Sequence, residues 1–162
     1  MKDLLKVAIG LVIAFISYTL LEWLSVSVIL ICNVFTLIVL YFAMKGGETK
    51  GAVVGMFFGL VQDSFSIGVF GIAGIAKTIM GFIAGFIAKR ISVVVFRRNF
   101  VFIFIMTGID LIIWVLLYVL LLSENINTGR GLLFFQPLGT AVIGSVVLFL
   151  VRKIQNIREQ RR

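Results

Sequence analysis

Few side chains in this sequence are suited to chemistry. Histidine is absent, so the commonest general base and the commonest transition-metal ligand are missing. The single cysteine, Cys32, lies in an apolar run and provides neither an intrachain disulfide nor a cysteine metal cluster. The sequence contains no glycine-rich phosphate loop, no Ser/His/Asp set and no metal-ligand spacing. We therefore expect a protein that is not an enzyme, with no cofactor and no metal site.

Three ionisable residues, Asp63, Lys77 and Asp110, lie inside apolar runs. A charge at bilayer depth is costly unless it is paired or hydrated, so each is a functional candidate. Asp63 and Lys77 match best in depth, since Lys77 lies roughly 9 Å into its run at about 1.5 Å per residue. An Asp63–Lys77 ion pair is the first expectation and an Asp110–Lys77 pair the second. The alternative for Asp63 is that it caps a helix end or contacts interfacial water and has no specific role.

Long apolar runs must position these residues. The chain is 61% hydrophobic and 14% charged, whereas soluble domains are roughly half apolar and about 25% charged. A helix needs about 20 apolar residues to cross a bilayer core of about 30 Å. We expect an all-α, polytopic integral membrane protein, a single compact bundle of about six transmembrane helices. The expected spans are residues 7–21, 24–44, 51–67, 71–88, 100–122 and 132–151.

The third span is the weakest of these, because Gln62, Asp63 and Ser64 interrupt it. It either crosses fully or ends near Asp63 as a half-helix or re-entrant element, whose free backbone groups protein would have to cover.

The net charge of +8 is distributed between the runs. With six spans and a cytoplasmic N-terminus, almost every basic residue falls on the cytoplasmic side and only Arg130, beside Glu124, falls outside. This is the positive-inside pattern, and it places both termini in the cytoplasm. No basic face with interleaved aromatics indicates nucleic-acid binding. The basic tail, residues 152–162, is expected to bind the anionic lipid surface or a cytoplasmic partner.

Glycines concentrate in the centre of the chain, where half of the 16 lie between Gly51 and Gly85. The four-residue spacings Gly51-Gly55-Gly59 and Gly81-Gly85 put glycines on one helix face, where another helix can approach closely. That second helix belongs either to the same bundle or to a partner protein. The spacing alone does not decide between them.

The segment from Gly55 to Arg90 resembles a known family. It reads Gly-Met-Phe-Phe-Gly-Leu-Val-Gln-Asp from Gly55 to Asp63, then has Gly68, Gly71, Lys77, Gly81-Phe82, Gly85 and Lys89-Arg90. This pattern is similar to the bacterial rod shape-determining MreD family over about a quarter of the chain, and size, span count and basic tail are also similar. The sequence departs from the family at Val69-Phe70-Gly71, where a proline is expected near the turn glycine.

The resemblance implies a non-enzymatic scaffold in the bacterial cytoplasmic membrane that helps maintain cell shape. Its implied partners are MreC and, through it, the actin-like MreB, the glycosyltransferase RodA and a class B penicillin-binding transpeptidase. The scaffold would help couple cytoplasmic filaments to peptidoglycan synthesis. The residues carried over, with roles in helix packing and partner contact, are Gly55, Gly59, Asp63, Gly71, Gly81, Gly85 and Arg90.

A second hypothesis belongs to another class of protein. Substrate-binding membrane subunits of energy-coupling-factor vitamin transporters are similar in size, apolarity and span number. Such a protein needs a polar, aromatic-lined pocket near the outer face. The candidate lining residues are Asp63, Lys77, Trp114 and Gln136.

Overall fold

The computed structural model describes residues 2–24, 32–65, 69–90, 96–122 and 135–160, and the regular structure within these ranges is helical throughout. The described elements are α1 (Lys2–Leu24), α2 (Val34–Phe65), α3 (Ile72–Arg90), α4 (Phe96–Leu122) and α5 (Gln136–Gln160). The prediction of an all-α fold is therefore confirmed.

Helix α2 folds back on itself at Gly47, whose φ of 79° and ψ of −169° are not helical. The rings of Phe35 and Phe65 lie 6.3 Å apart, whereas a straight helix would separate these residues by about 45 Å at ~1.5 Å per residue. A Cβ built on Gly51 would likewise press on Ala43. The helix thus consists of two antiparallel arms, residues 34–46 and 48–65, and the reversal lies between the predicted second and third spans.

Several helix ends differ from the ends of the predicted spans. Helix α2 begins at Val34 rather than residue 24, because the Asn33 side-chain oxygen accepts a hydrogen bond from the Thr36 amide at 3.1 Å, which is the usual N-cap arrangement. Helix α5 begins at Gln136 rather than 132, with Pro137 in its first turn, where a missing N–H costs no hydrogen bond. It continues to Gln160, so most of the predicted tail is helical.

The other helices match their predicted spans more closely: α1 and α4 start a few residues earlier than expected, and α3 is displaced by one or two residues. The expected outside residues Arg130 and Glu124 lie outside the described residues.

Helix α1 runs antiparallel to the first arm of α2. Near one end of the bundle the rings of Tyr18 and Phe35 are 5.7 Å apart. Nearer the other end, Gly10 faces the ring of Phe42. The N-terminal part of α1 therefore lies at the same end as the Gly47 reversal.

Helix α5 runs parallel to that arm. The Asn33 amide donates to the Thr140 hydroxyl at 3.1 Å, and one turn further along both helices Gly144 meets Leu37. The C-terminal part of α5 thus also reaches the end with the reversal. We call this the basic end, because basic residues predominate there, among them Lys45, Lys50, Lys89, Arg90 and Lys153.

The exterior of the bundle is apolar while several polar side chains are inside. Large apolar side chains are exposed on every helix, for example Phe15, Phe57, Phe82, Ile112 and Leu150. Soluble monomers rarely expose contiguous apolar patches beyond a few hundred Å². Among the described residues, two helical segments are long and apolar enough to cross a membrane, Ile72–Arg90 and Arg98–Leu121.

Candidate functional site: a glycine-packed hairpin beside a buried ion pair

The second arm of α2 and helix α3 are in direct backbone contact through glycines of both helices. A Cβ added at any of five positions would overlap main-chain atoms of the facing helix. The overlaps are Gly51 with the Gly81 carbonyl, Gly55 with the Lys77 carbonyl, Gly59 with the Ala73 carbonyl, Gly81 with the Gly51 carbonyl, and Gly85 with the backbone of Gly47 and Glu48. Packing within one bundle, the first of the two alternatives for these glycines, is therefore the arrangement present. Their faces are already occupied and leave no room for a partner's helix.

Asp63 caps helix α3. Its carboxylate accepts hydrogen bonds from the amides of Gly71 at 2.9 Å, Ala73 at 3.2 Å and Gly74 at 3.1 Å. These amides have no partner within the helix, and the positive end of the helix dipole favours an anion here. The expected Asp63–Lys77 ion pair is thus wrong, because both oxygens of Asp63 already bind the N-terminus of α3.

Gly71 makes the turn before α3 possible. Its φ is +105°, a conformation that glycine adopts without strain. Its carbonyl accepts the Ile75 amide at 2.9 Å, the first hydrogen bond of the helix. This glycine conformation forms the turn where the family pattern has a proline.

Lys77 instead pairs with Asp110. Its Nζ lies 2.7 Å from Asp110 Oδ2 and 2.9 Å from the Thr36 hydroxyl. The Thr36 hydroxyl donates to the same carboxylate oxygen at 2.7 Å. The three residues, which we call the buried polar cluster, join the first arm of α2 to α3 and α4. The Asp110–Lys77 pair, which was the second expectation, is therefore the one present.

The buried polar cluster is closed to the surface. Relative exposure is 0% for Thr36, 2% for Lys77 and 4% for Asp110. A hydroxyl between a carboxylate and an ammonium group resembles the arrangement that activates nucleophiles, but a substrate has no access to it here. Removing either Lys77 or Asp110 would leave a buried charge without its partner, which is far more costly than the intact pair. The cluster is therefore best described as a structural tie between three helical segments.

Thr36 was not among the residues predicted from the sequence to form this site. A lone threonine in an apolar run is a weak signal, because a helical hydroxyl usually bonds to a carbonyl of its own helix. Asn33, three residues earlier, was the available hint that this part of the run is not uniformly apolar.

A second, more exposed ion pair lies at the basic end. Lys89 Nζ donates to Glu48 Oε1 at 2.8 Å and joins α3 to the second arm of α2. The hydrogen bond from Lys89 lowers the pKa of Glu48 below its ordinary value. Arg90, a carried-over residue, is exposed at the last turn of α3, with its guanidinium 4.3 Å from the centre of the Phe86 ring.

A large groove lies between α1, both arms of α2 and α5. Its volume is about 1030 Å³, and apolar side chains such as Ile13, Leu37, Phe57 and Val147 line most of it. Lys45 and Lys50 line it at the basic end. None of the residues expected to line a vitamin pocket, Asp63, Lys77, Trp114 and Gln136, lines this groove.

Across the described ranges, no group of three or more His, Cys, Asp or Glu side chains is placed to hold a metal ion. Comparison with protein-family models, with curated proteins and with solved structures finds no match.

Proposed function

We propose that this protein is a multi-pass membrane protein of about six spans and a non-enzymatic scaffold of the bacterial cell-elongation machinery. In this proposal the two arms of α2 cross separately. The basic end faces the cytoplasm, with both termini there, as the positive-inside rule predicts. The apolar exterior on all five described helices supports a lipid environment, because water would oppose exposure of this much apolar surface.

One observation supports the scaffold role most directly. Five residues on which the resemblance to the MreD family rests, Gly55, Gly59, Asp63, Gly81 and Gly85, all belong to the close-packed unit formed by the second arm of α2 and α3. The shared pattern thus corresponds to one rigid structural element rather than to scattered positions. A rigid membrane unit with an apolar exterior is suited to holding partner helices in place.

The implied partners, MreC and through it MreB, RodA and the transpeptidase, would contact the exposed apolar faces and not the glycines. Partner binding should therefore depend on exposed side chains of the kind found at Met56, Phe82 and Ile112.

The experiment is co-purification with the MreC homologue of the same organism, combined with photo-crosslinking. A crosslinker is placed in turn at Met56, Phe82 and Ile112, with the fully buried Met80 as the matched control. We expect a crosslink to MreC from at least one exposed position and none from Met80. Absence of co-purification and of every crosslink would contradict the scaffold role.

The vitamin-transporter hypothesis has less support. Asp63 and Lys77 are committed to internal contacts, and the large groove is lined mostly by apolar side chains, with its lysines at the basic end. Thermal stabilisation of the purified protein by a vitamin, without MreC binding, would favour this alternative.

A further inference from the structure

The groove between α1, α2 and α5 combines an apolar body with a basic mouth. Ile13, Leu37 and Val147 lie along the body, while Lys45 and Lys50 lie at the basic end. A volume of about 1030 Å³ exceeds what one side chain would fill and reaches the upper end of the ~300–1,000 Å³ typical of pockets for small molecules.

The dimensions of the groove match one leaflet of a bilayer. Leu37 and Lys45 both line it and lie on the same helical arm, so the lining extends roughly 12 Å along that arm at about 1.5 Å per residue. Half of a hydrocarbon core is about 15 Å. An acyl chain that enters from the headgroup region would therefore lie in the groove over most of the thickness of one leaflet.

One of the two lysines contacts an aromatic ring. Lys45 Nζ lies 4.8 Å from the centre of the Tyr41 ring, and both residues line the groove. A cation–π contact of this kind holds the ammonium group at the mouth. Lys50 adds a second positive charge across the Gly47 reversal. Two cations above an apolar cleft are complementary to a molecule with an anionic headgroup and hydrocarbon tails.

We infer that this groove is a binding site for an anionic phospholipid of the cytoplasmic leaflet, with its acyl chains against α1, α2 and α5 and its phosphate beside Lys45 and Lys50. The inference requires the protein to lie in a bilayer but is independent of the scaffold role.

The test compares dioleoylphosphatidylglycerol with dioleoylphosphatidylcholine, titrated into the full-length protein in detergent and followed by native mass spectrometry. We expect preferential retention of phosphatidylglycerol. The double variant Lys45→Ala/Lys50→Ala should bind it about 30-fold more weakly, the factor expected when two basic residues near an anionic headgroup are lost. The control Arg90→Ala/Lys153→Ala removes two charges from the same end but outside the groove, and it should retain the preference.

A second pair of variants tests the apolar body. Val147→Trp fills the groove and should reduce binding of both lipids, whereas Val146→Trp, on the neighbouring exposed position that does not line the groove, should not. Equal binding of the two lipids, or equal losses in the two double variants, would overturn the inference. If Val147→Trp instead dissociates a dimer or a bound protein and leaves lipid binding unchanged, the groove has another occupant and the inference is overturned. Co-purification with the MreC homologue is scored separately, so failure here leaves the scaffold proposal standing.

Discussion

Replacing Lys77 with methionine tests the buried polar cluster most directly. Methionine has a similar length and no charge, so the substitution removes the ion pair with Asp110 while retaining most of the packing. The carboxylate of Asp110 would then be buried, with only the Thr36 hydroxyl as a hydrogen-bond donor. Since its Oδ1 atom already lacks a partner among the described residues, Asp110 would be left as a buried group without its counter-ion.

The size of the effect follows from the geometry. At 2.7 Å, two unit charges attract by about 6 kcal/mol at an effective dielectric constant of about 20. Removing both from water costs several kcal/mol per ion, so the intact pair contributes little net stability. Removing one partner alone is expected to cost about 3–5 kcal/mol.

The double variant Lys77→Met/Asp110→Leu removes both charges and should restore stability to near the original value or above it. The free energy of unfolding is measured by circular dichroism during titration of detergent micelles with sodium dodecyl sulfate. The control is Lys153→Met, at an exposed lysine, for which we expect a change within about 0.5 kcal/mol. The reasoning is refuted if Lys77→Met is no less stable than Lys153→Met, or if the double variant is as unstable as Lys77→Met.

Three further predictions concern the rest of the site. Gly55→Ala should lower the free energy of unfolding by about 1–3 kcal/mol, because the new methyl group forces the second arm of α2 away from α3. Its control is Gly108→Ala, where a Cβ meets open space; in the same unfolding assay this variant should be neutral or stabilising by up to about 1 kcal/mol. Asp63→Ala should lower stability by about 1–2 kcal/mol through loss of the α3 cap, and hydrogen exchange should show increased exchange in the first turn of α3 only. The pKa of Glu48 is lowered in the folded protein by the hydrogen bond from Lys89. The stability that this interaction contributes is therefore present above the unfolded pKa of Glu48 and is lost as the pH falls through the folded value. Glu48→Gln should reduce the dependence of melting temperature on pH in that acidic range, and an unchanged pH profile would contradict this prediction.

The sequence predicted the helical class well, because apolar runs of about 20 residues have few other stable conformations in lipid. It also predicted a break between Met44 and Gly51, where glycines and charged residues interrupt the apolar pattern. It failed at the start of α2, because Asn33 lies within an apolar stretch and a single capping residue changes the hydropathy of that stretch very little.

The wrong pairing of Lys77 has a different cause. Neither the alignment of two helices along their axes nor the rotation of each helix about its own axis can be read from the sequence. Lys77 lies level with Gly55, about two turns away from Asp63, so Asp63 binds the backbone amides that begin α3 whereas Lys77 points to α4. The glycine spacing likewise predicted a close contact but could not identify the helix on the other side of it.

The separation of Lys77 and Asp110 along the chain has a consequence for biosynthesis. The two residues are 33 positions apart, and ribosomes add about 5–20 residues per second, so Lys77 emerges roughly 2–7 s before its counter-ion. During that interval Asp63 is occupied with the start of α3 and offers no substitute. In the proposed membrane topology, an α3 segment inserted alone would carry an ammonium group without its counter-ion, so we expect stable insertion of α3 to require α4.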